Sequence, residues 1–432
     1  MPFPKPLLDV LLEPARPVFL FGSTPPREGT TEEKAIETCR KFANRSGVLA
    51  TDGFIVYDIQ DEGARTNTER PFPFRKTMDP AIYASYFPTH SGKQCIVYKC
   101  VTEESTELFD NWLERASTQY RHHCFNLVGA ASSTERPGVS LSTAAARTKV
   151  RDGVAFGCVC IPERHITKGN ENQNMINKVE YGAQWFITQG IFDAGPIIKL
   201  LNDYGDLCRT KNIIPKKVIL TFAPCGRPKT MTFIRWLGMQ VPEEVEQRIF
   251  ASANPVQEST LILNEILSRI LAHTHNSCVP IGLNVESLSI FKEEINAAHD
   301  LFQSLQANLL KHAGSPWAVR WFYVDPTAFS SSRSSSHSST PGIQLNGSHL
   351  IESDAADTIP TNGKKQSLEI SLTTSPTSPP ATANADLAPT EVSPRSQSLL
   401  DNSWITSGSA LVATGIVFYL LGVSVGRNLR LN

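Results

Sequence analysis

Two acidic residues end apolar runs of the sequence, where a carboxyl group can take part in acid–base chemistry. Asp58 ends the run Phe54–Asp58, and Glu286 ends the run Ile281–Glu286. A carboxyl group that is buried at such a position has a raised pKa and can act as a proton donor. Each residue could instead form a salt bridge or cap a helix, and Glu163 offers a third carboxyl at a run end. Asp58 and Glu286 are the catalytic candidates.

The elements that must position these residues are eight short runs that are apolar through their length. This pattern is typical of parallel strands with both faces covered, and helix-compatible segments separate most of the runs. Eight strand-then-helix units predict the α/β class, specifically an eight-fold β/α (TIM) barrel, with a doubly wound open sheet as the alternative. The strands are predicted at Val18–Phe21, Phe54–Asp58, Cys95–Cys100, Cys124–Val128, Val154–Ile161, Gln184–Thr188, Val218–Phe222 and Ile281–Glu286.

A barrel of this kind carries its chemistry at the carboxyl ends of the strands. The prediction therefore brings Asp58 and Glu286 to one mouth, together with Lys99. The segment Asp58–Pro80 is rich in charged and aromatic residues, and it is either a loop over this mouth or a solvated loop without a catalytic role. No GxGxxG motif follows an early strand, which argues against a dinucleotide-binding Rossmann fold.

Charge and cysteine content exclude several classes of protein. The chain has 41 Lys and Arg residues against 42 Asp and Glu residues, so it lacks the surplus of cations that nucleic-acid binding needs. Its nine cysteines are odd in number and form no CxxC pair, which predicts neither a disulfide framework nor a zinc site. We expect no metal and no nucleic acid as partners.

The composition changes twice along the chain. Residues 1–328 have the composition of a globular domain, whereas residues 329–403 are dominated by Ser, Thr and Pro and predict a disordered linker. Residues 404–432 contain a short uncharged apolar stretch, which predicts a transmembrane tail anchor through residues 409–426. The barrel would then face the cytosol. The mitochondrial outer membrane is the favoured location, and the peroxisome and the endoplasmic reticulum are the alternatives.

One stretch of the sequence resembles a known family. The run KVEYGAQWFITQGIFDAGPI, Lys178–Ile197, is similar to the KVxAGAxxxITQxFFD segment of methylenetetrahydrofolate reductases. Four shorter segments resemble the family's landmarks in the same order, over residues 15–312: PPR at Pro25–Arg27, IPERH at Ile161–His165, LGMQVPEEV at Leu237–Val245 and VPIGLNVESLS at Val279–Ser289.

The resemblance implies an FAD-dependent oxidoreductase of one-carbon metabolism. Such an enzyme passes a hydride from NAD(P)H through FAD to a folate. By position, Gln189 would contact the folate-like substrate, and Asn174 and Lys178 would hold the FAD diphosphate from one helix face. His165 would lie near the cofactor.

The chain departs from the family where the family's proton donor stands. A glutamate is expected three residues before the Pro-Pro pair, and this chain has Gly22 there. The family's LRGD segment becomes Leu127–Ala130, and its histidine on the third strand becomes Val97. Loss of a positioned acid typically costs a factor of about 10² to 10⁴ in rate, so Asp58 and Glu286 become candidate substitutes.

Three hypotheses follow from these observations. The first is a flavin-dependent reductase with an altered acid and altered folate contacts. The second is a non-catalytic, membrane-tethered barrel of the same descent that acts as a scaffold or sensor. The third is a flavin-free lyase or hydrolase that uses Asp58, Lys99 and Glu286. Formation of a homo-oligomer is left open.

Overall fold

Eight parallel strands close into a barrel in chain order, and β8 pairs with β1. The computed structural model describes residues 6–61, 69–102, 104–129 and 138–313. The predicted TIM barrel is confirmed, and every predicted run overlaps a strand. The strands are β1 Phe19–Ser23, β2 Gly53–Val56, β3 Cys95–Cys100, β4 Cys124–Val128, β5 Ala155–Cys160, β6 Trp185–Gly190, β7 Lys217–Phe222 and β8 Ile281–Val285.

Helices surround this barrel. The described helices are α1 Leu7–Leu12, α2 Glu32–Ser46, α3 Pro80–Ala84, α4 Phe87–Ser91, α5 Thr106–Glu114, α6 Leu141–Lys149, α7 Pro162–Lys168, α8 Glu171–Tyr181, α9 Ala194–Lys211, α10 Pro228–Trp236, α11 Glu243–Ala251, α12 Pro255–His273 and α13 Lys292–Ala313. The helix predicted over Ser105–Tyr120 is α5 followed by a π-helical turn, Arg115–Gln119. Several helices had no clear signal in the sequence. The five-residue helices α3 and α4 are too short to show a 3.6-residue periodicity.

The strands separate two apolar clusters. Outward-facing side chains such as Phe125 and Phe186 pack against the helices in the main core. Inward-facing side chains, among them Leu20, Ile55 and Ile187, form a second cluster inside the barrel. This division shows which residues of each strand face the interior, because neighbours along a strand point to opposite faces.

The short helix α1 closes the end of the barrel where the strands begin. Its residues Leu7, Val10 and Leu11 are buried in the interior cluster. The ammonium group of Lys217, at the start of β7, donates hydrogen bonds to the carbonyl oxygens of Val10, Glu13 and Arg16 at 2.7 to 2.8 Å. Among the described residues, α1 therefore covers the end where the strands begin, and the mouth is the opposite end, where the strands finish.

The predicted linker, 329–403, and the predicted tail, 404–432, both lie outside the described residues, as does the end of the predicted 1–328 domain. Within the described ranges, no helix combines the length and the apolar character needed to cross a bilayer. The linker and the tail anchor remain predictions.

Candidate functional site

A hydrogen-bonded chain of side chains crosses the mouth of the barrel from β7 to β2. Asn284 lies inside β8, and its Nδ2 is 3.3 Å from Thr221 Oγ1 on β7 and 2.9 Å from Tyr57 Oη beyond β2. Tyr57 in turn forms a hydrogen bond with the carboxyl group of Glu286. Glu286 extends β8, since its N–H donates to the carbonyl oxygen of Phe222 at 3.0 Å. The chain fixes the position of one carboxyl group at the mouth.

Gly22, at the inner face of β1, leaves the space that this carboxyl group and Tyr57 occupy. A Cβ atom placed on Gly22 would lie 2.8 Å from Cε2 of Tyr57 and 2.9 Å from Cβ of Glu286. Real Cβ contacts under 3.0 Å are essentially never seen. A side chain at position 22 and the present arrangement of Tyr57 and Glu286 therefore exclude each other.

Burial raises the pKa of both Glu286 and Tyr57. It raises the pKa of Glu286 to about 7, and the hydrogen bond from Tyr57 opposes that rise. Burial and the nearby Glu286 raise the pKa of Tyr57 well above its ordinary value, so the phenol keeps its proton and acts as the donor. Glu286 thus has the pKa of a group that exchanges a proton near neutral pH.

Asp58, the other predicted acid, is held by the end of the neighbouring strand. Its Oδ2 accepts the backbone N–H of Cys100 at 2.8 Å, and its Oδ1 accepts from Gln60 Nε2 at 2.7 Å. Burial raises its pKa to about 6 against the opposing charge of Lys99. Lys99 Nζ itself lies 2.7 Å from Glu104 Oε1. Because both carboxylate oxygens of Asp58 already accept hydrogen bonds, its observed role is to join β2 to β3.

Gln189 lies at an irregularity of the barrel. The register between β6 and β7 shifts between Ile187 and Gly190, which inserts one extra residue into β6. Gln189 is half-buried, and its Nε2 donates to the carbonyl oxygen of Leu237 at 2.9 Å. Bulges of this kind often redirect a side chain beside a functional site. Gln189 is therefore held at the rim of the mouth next to the end of α10.

The residues predicted to hold FAD fall into two separate places. Asn174 and Lys178 lie together on α8 as predicted, and both contact the buried carboxylate of Glu171, at 3.1 and 3.5 Å. Lys178 Nζ also donates to the carbonyl oxygen of Val159 at the end of β5, at 2.7 Å. His165 is buried in the helix layer, where its Nε2 is 2.8 Å from Asp203 Oδ2 on α9.

These contacts do not fit a flavin diphosphate. A diphosphate needs cations or N–H donors that are open to it. The ammonium group of Lys178 already pairs with Glu171, whose side chain is 2% exposed, and a buried carboxylate beside the phosphates would repel them. His165 faces Asp203 on α9, and its link to that carboxylate joins α7 to α9.

The floor of the mouth carries polar atoms that sequence reasoning missed. Asn126 on β4 is fully buried inside the barrel, and neither of its amide atoms has a hydrogen-bond partner among the described residues. Asn284 Oδ1 and Trp185 Nε1, which also face the barrel interior, likewise have no hydrogen-bond partner among the described residues. An unsatisfied buried polar group costs about 1–3 kcal/mol, so a ligand atom or an ordered water would be stabilised there. The sequence feature that could have identified these atoms is a single polar residue within an otherwise apolar strand, such as Asn126 in β4.

Part of the segment after β2 lies across one side of the mouth. Residue 77 pairs with residue 27 beyond β1, and Met78 N donates to the carbonyl oxygen of Pro26 at 2.8 Å. Phe72 packs against Phe233 of α10, with ring centroids 5.3 Å apart. The segment therefore bridges from the end of β1 to α10, the helix after β7.

No cluster of metal ligands occurs among the described side chains. All nine cysteines are free, and eight are buried.

Comparisons with known proteins agree with this architecture. A family model described as methylenetetrahydrofolate reductase matches residues 143–288, which include β5 to β8 and the residues His165, Asn174, Lys178 and Gln189. The match covers less than half of the chain. No curated protein matches the sequence significantly.

One solved structure is similar over most of the barrel. It is an uncharacterized protein from Clostridium thermocellum, reported to bind two copies of 5-methyl-5,6,7,8-tetrahydrofolic acid. The similarity has a TM-score of 0.60 and 28% sequence identity, and it covers 70% of this chain and 99% of that one. N-(5'-phosphoribosyl)anthranilate isomerase from Pyrococcus furiosus is matched with a TM-score of 0.32 and 11% identity, over 67% of this chain and 99% of that chain.

Proposed function

We propose that this chain is a divergent relative of the methylenetetrahydrofolate reductases whose barrel binds a reduced folate at its mouth. The observation that carries the proposal is the fixed carboxyl group of Glu286, held by Tyr57 in a barrel that is 28% identical to a methyltetrahydrofolate-binding protein. The family-model match over residues 143–288 supports the same descent.

The chemistry of the mouth suits a pterin. A pterin is a flat heterocycle whose edges carry both hydrogen-bond donors and acceptors. The rings of Tyr57 and Tyr98 meet edge to face with centroids 5.0 Å apart and offer an apolar wall. The amides of Asn126 and Asn284 and the carboxyl group of Glu286 can pair with polar atoms of the ring, since amides both donate and accept. Gln189 at the rim can do the same.

Binding is tested by isothermal titration calorimetry with the full-length chain in mild detergent and 5-methyltetrahydrofolate as the probe. Saturable binding that weakens at least tenfold in Asn126→Leu, with an unchanged melting temperature, supports the proposal. Asn264→Leu is the matched control, because Asn264 lies on α12 in the outer helix layer. Absence of binding at millimolar ligand would overturn the proposed function.

The second candidate is an FAD-dependent reductase that takes electrons from NAD(P)H. The positions of Asn174, Lys178 and Gln189 within the matched family segment favour it. The pairing of Lys178 with Glu171 argues against it.

The visible absorbance spectrum of the purified full-length chain separates the two candidates. Flavin bands that bleach when NADPH or NADH is added without oxygen would establish the reductase. A colourless protein that binds folate and does not retain added FAD would establish a folate-binding barrel without a resident flavin, the role of scaffold or sensor.

We also propose that residues 404–432 anchor the barrel to a membrane, with the mitochondrial outer membrane as the first location to examine. The support is the uncharged apolar stretch of the sequence. Fractionation of cells that express the full chain or a chain ending at residue 403 tests this. The full chain should remain in carbonate-washed membranes and the truncated chain should not. A homo-oligomer is tested on the same samples by sedimentation.

A further inference from the structure

The hydroxyl of Tyr57 has a fixed direction of donation. Its oxygen accepts a hydrogen bond from Asn284 Nδ2 at 2.9 Å, and Asn284 is held in turn by Thr221. With that acceptor position filled, the phenol proton is directed to the carboxyl group of Glu286. The hydrogen bond from Tyr57 thereby fixes the carboxyl group of Glu286 at the carboxyl end of β8, where a ligand in the mouth can meet it.

Among the described residues, no cation interacts with the carboxyl group of Glu286. The groups that interact with it electrostatically are Tyr57, which follows β2, and Tyr98 of β3, and both are neutral phenols. The elements beside it contribute Gly22 from β1 and Thr221 from β7. The charged residues Asp58 and Lys99, near the ends of β2 and β3, make their contacts with Cys100, Gln60 and Glu104.

A ligand that covers the mouth removes more water from this carboxyl group. Desolvation without a countercharge disfavours the ionised form of an acid. The pKa of Glu286 is already raised to about 7 before any ligand binds. A bound heterocycle therefore stabilises the protonated form further, unless the ligand itself supplies a cation.

We propose that Glu286 meets the ligand as a neutral carboxylic acid that donates a hydrogen bond to an acceptor atom of the pterin, a ring nitrogen or the ring carbonyl. This inference rests on the proposed folate site. No bond to carbon changes and no redox partner is needed. Above neutral pH the protein takes up one proton when it binds the ligand, and affinity falls as the pH rises.

An ionised Glu286 in the complex would give the opposite pH dependence of ligand affinity. If Glu286 acted as a carboxylate that accepts from pterin N–H groups, binding would release a proton below neutral pH, and affinity would rise with pH. The two roles are therefore distinguished by the sign of the pH dependence, which a purely structural contribution of Glu286 would not produce.

The test measures the Kd of 5-methyltetrahydrofolate for the full-length chain between pH 6 and pH 9 by calorimetry, in phosphate and in Tris buffer. We expect the Kd to rise by up to about tenfold per pH unit above neutrality, and the two buffers to report uptake of about one proton. Glu286→Gln keeps a neutral N–H donor of the same shape, so it should bind with little pH dependence and more tightly than wild type at high pH. Glu286→Ala should bind weakly at every pH.

Asp52→Asn is the matched control, because Asp52 is also a half-buried carboxyl group with a raised pKa, and it lies at the closed end of the barrel, where its Oδ2 accepts the backbone N–H of Phe19 at 2.8 Å. This variant should keep the wild-type slope. An affinity that rises with pH, or a Glu286→Gln variant with the wild-type slope, would overturn the inference while leaving the folate site intact. Absence of binding by the wild type at all pH values would instead remove the proposed function.

Discussion

The side chain of Glu286 lies against Gly22 where the first strand, β1, pairs with the last strand, β8. A Cβ atom on Gly22 would lie 2.9 Å from Cβ of Glu286. Methylenetetrahydrofolate reductases, which this chain resembles, have a glutamate at the position of Gly22. The structure therefore has a carboxyl group in the region where the resemblance predicts one, but the neighbouring strand supplies it.

Gly22→Ala should weaken ligand binding by at least tenfold, because the new methyl group displaces Tyr57 and the side chain of Glu286. Overpacking of this kind typically costs 1–3 kcal/mol of stability, so the melting temperature should fall as well. Calorimetry and thermal unfolding measure the two effects.

Gly129→Ala is the control for this change. Among the described residues, a Cβ atom on Gly129 would meet only Leu141, at 3.8 Å, an ordinary contact. Equal loss of binding in the two variants would show that the space at Gly22 has no special role in the site.

Glu286 should make the folded protein less stable as the pH rises from about 4.5 to about 7. Burial raises its pKa to about 7 from the ordinary value of 4.5, so the folded state holds more protons than the unfolded state across this window. The free energy of unfolding then decreases with pH, by up to roughly 3 kcal/mol from this group. Urea unfolding at several pH values measures it.

The comparison with Glu286→Gln isolates this contribution from the other titrating groups. The variant should unfold with a smaller free-energy loss across the same window, and the two curves should run parallel above neutral pH. Identical curves throughout would show that Glu286 is ionised in the folded protein.

Phe72→Ala should release the segment that bridges β1 and α10. Phe72 is 3% exposed and packs edge to face against Phe233. Loss of a buried phenylalanine removes about 3–5 kcal/mol of local packing. Amide exchange should accelerate over residues 69–78 and stay unchanged in β3. Phe74→Ala, at a half-buried position in the same segment, should have a smaller effect, and equal effects would contradict the proposed anchoring by Phe72.

Lys217→Met should weaken the attachment of α1 to the end of the barrel where the strands begin. Lys217 Nζ donates to three backbone carbonyl groups, and the variant leaves them without that donor. Each lost bond costs about 1–3 kcal/mol when the acceptor is buried. Thermal unfolding and amide exchange of residues 7–12 measure the loss. Lys216→Met removes a single contact, with Gln184, and should cost much less.

The sequence alone predicted the barrel because the signal for each strand is local. Runs such as Cys95–Cys100 and Cys124–Val128 are apolar throughout, and the structure has strands at these same bounds. Strand order followed from the alternation of strands with helices, since parallel neighbours require a crossover. Short helices such as α3 were missed, because five residues carry too little periodicity.

What only the tertiary structure decided is how side chains distant in the sequence are paired. From the sequence alone, Asp58 and Glu286 were equivalent candidates for the catalytic acid. In the folded barrel, Asp58 accepts hydrogen bonds from the Cys100 N–H and the Gln60 amide, whereas Glu286 accepts one from the Tyr57 hydroxyl. The i, i+4 spacing correctly put Asn174 and Lys178 on one helix face, but it could not show that both contact Glu171. The chemistry of a carboxyl group or an ammonium group depends on its partners and its burial, and those are set when the barrel closes.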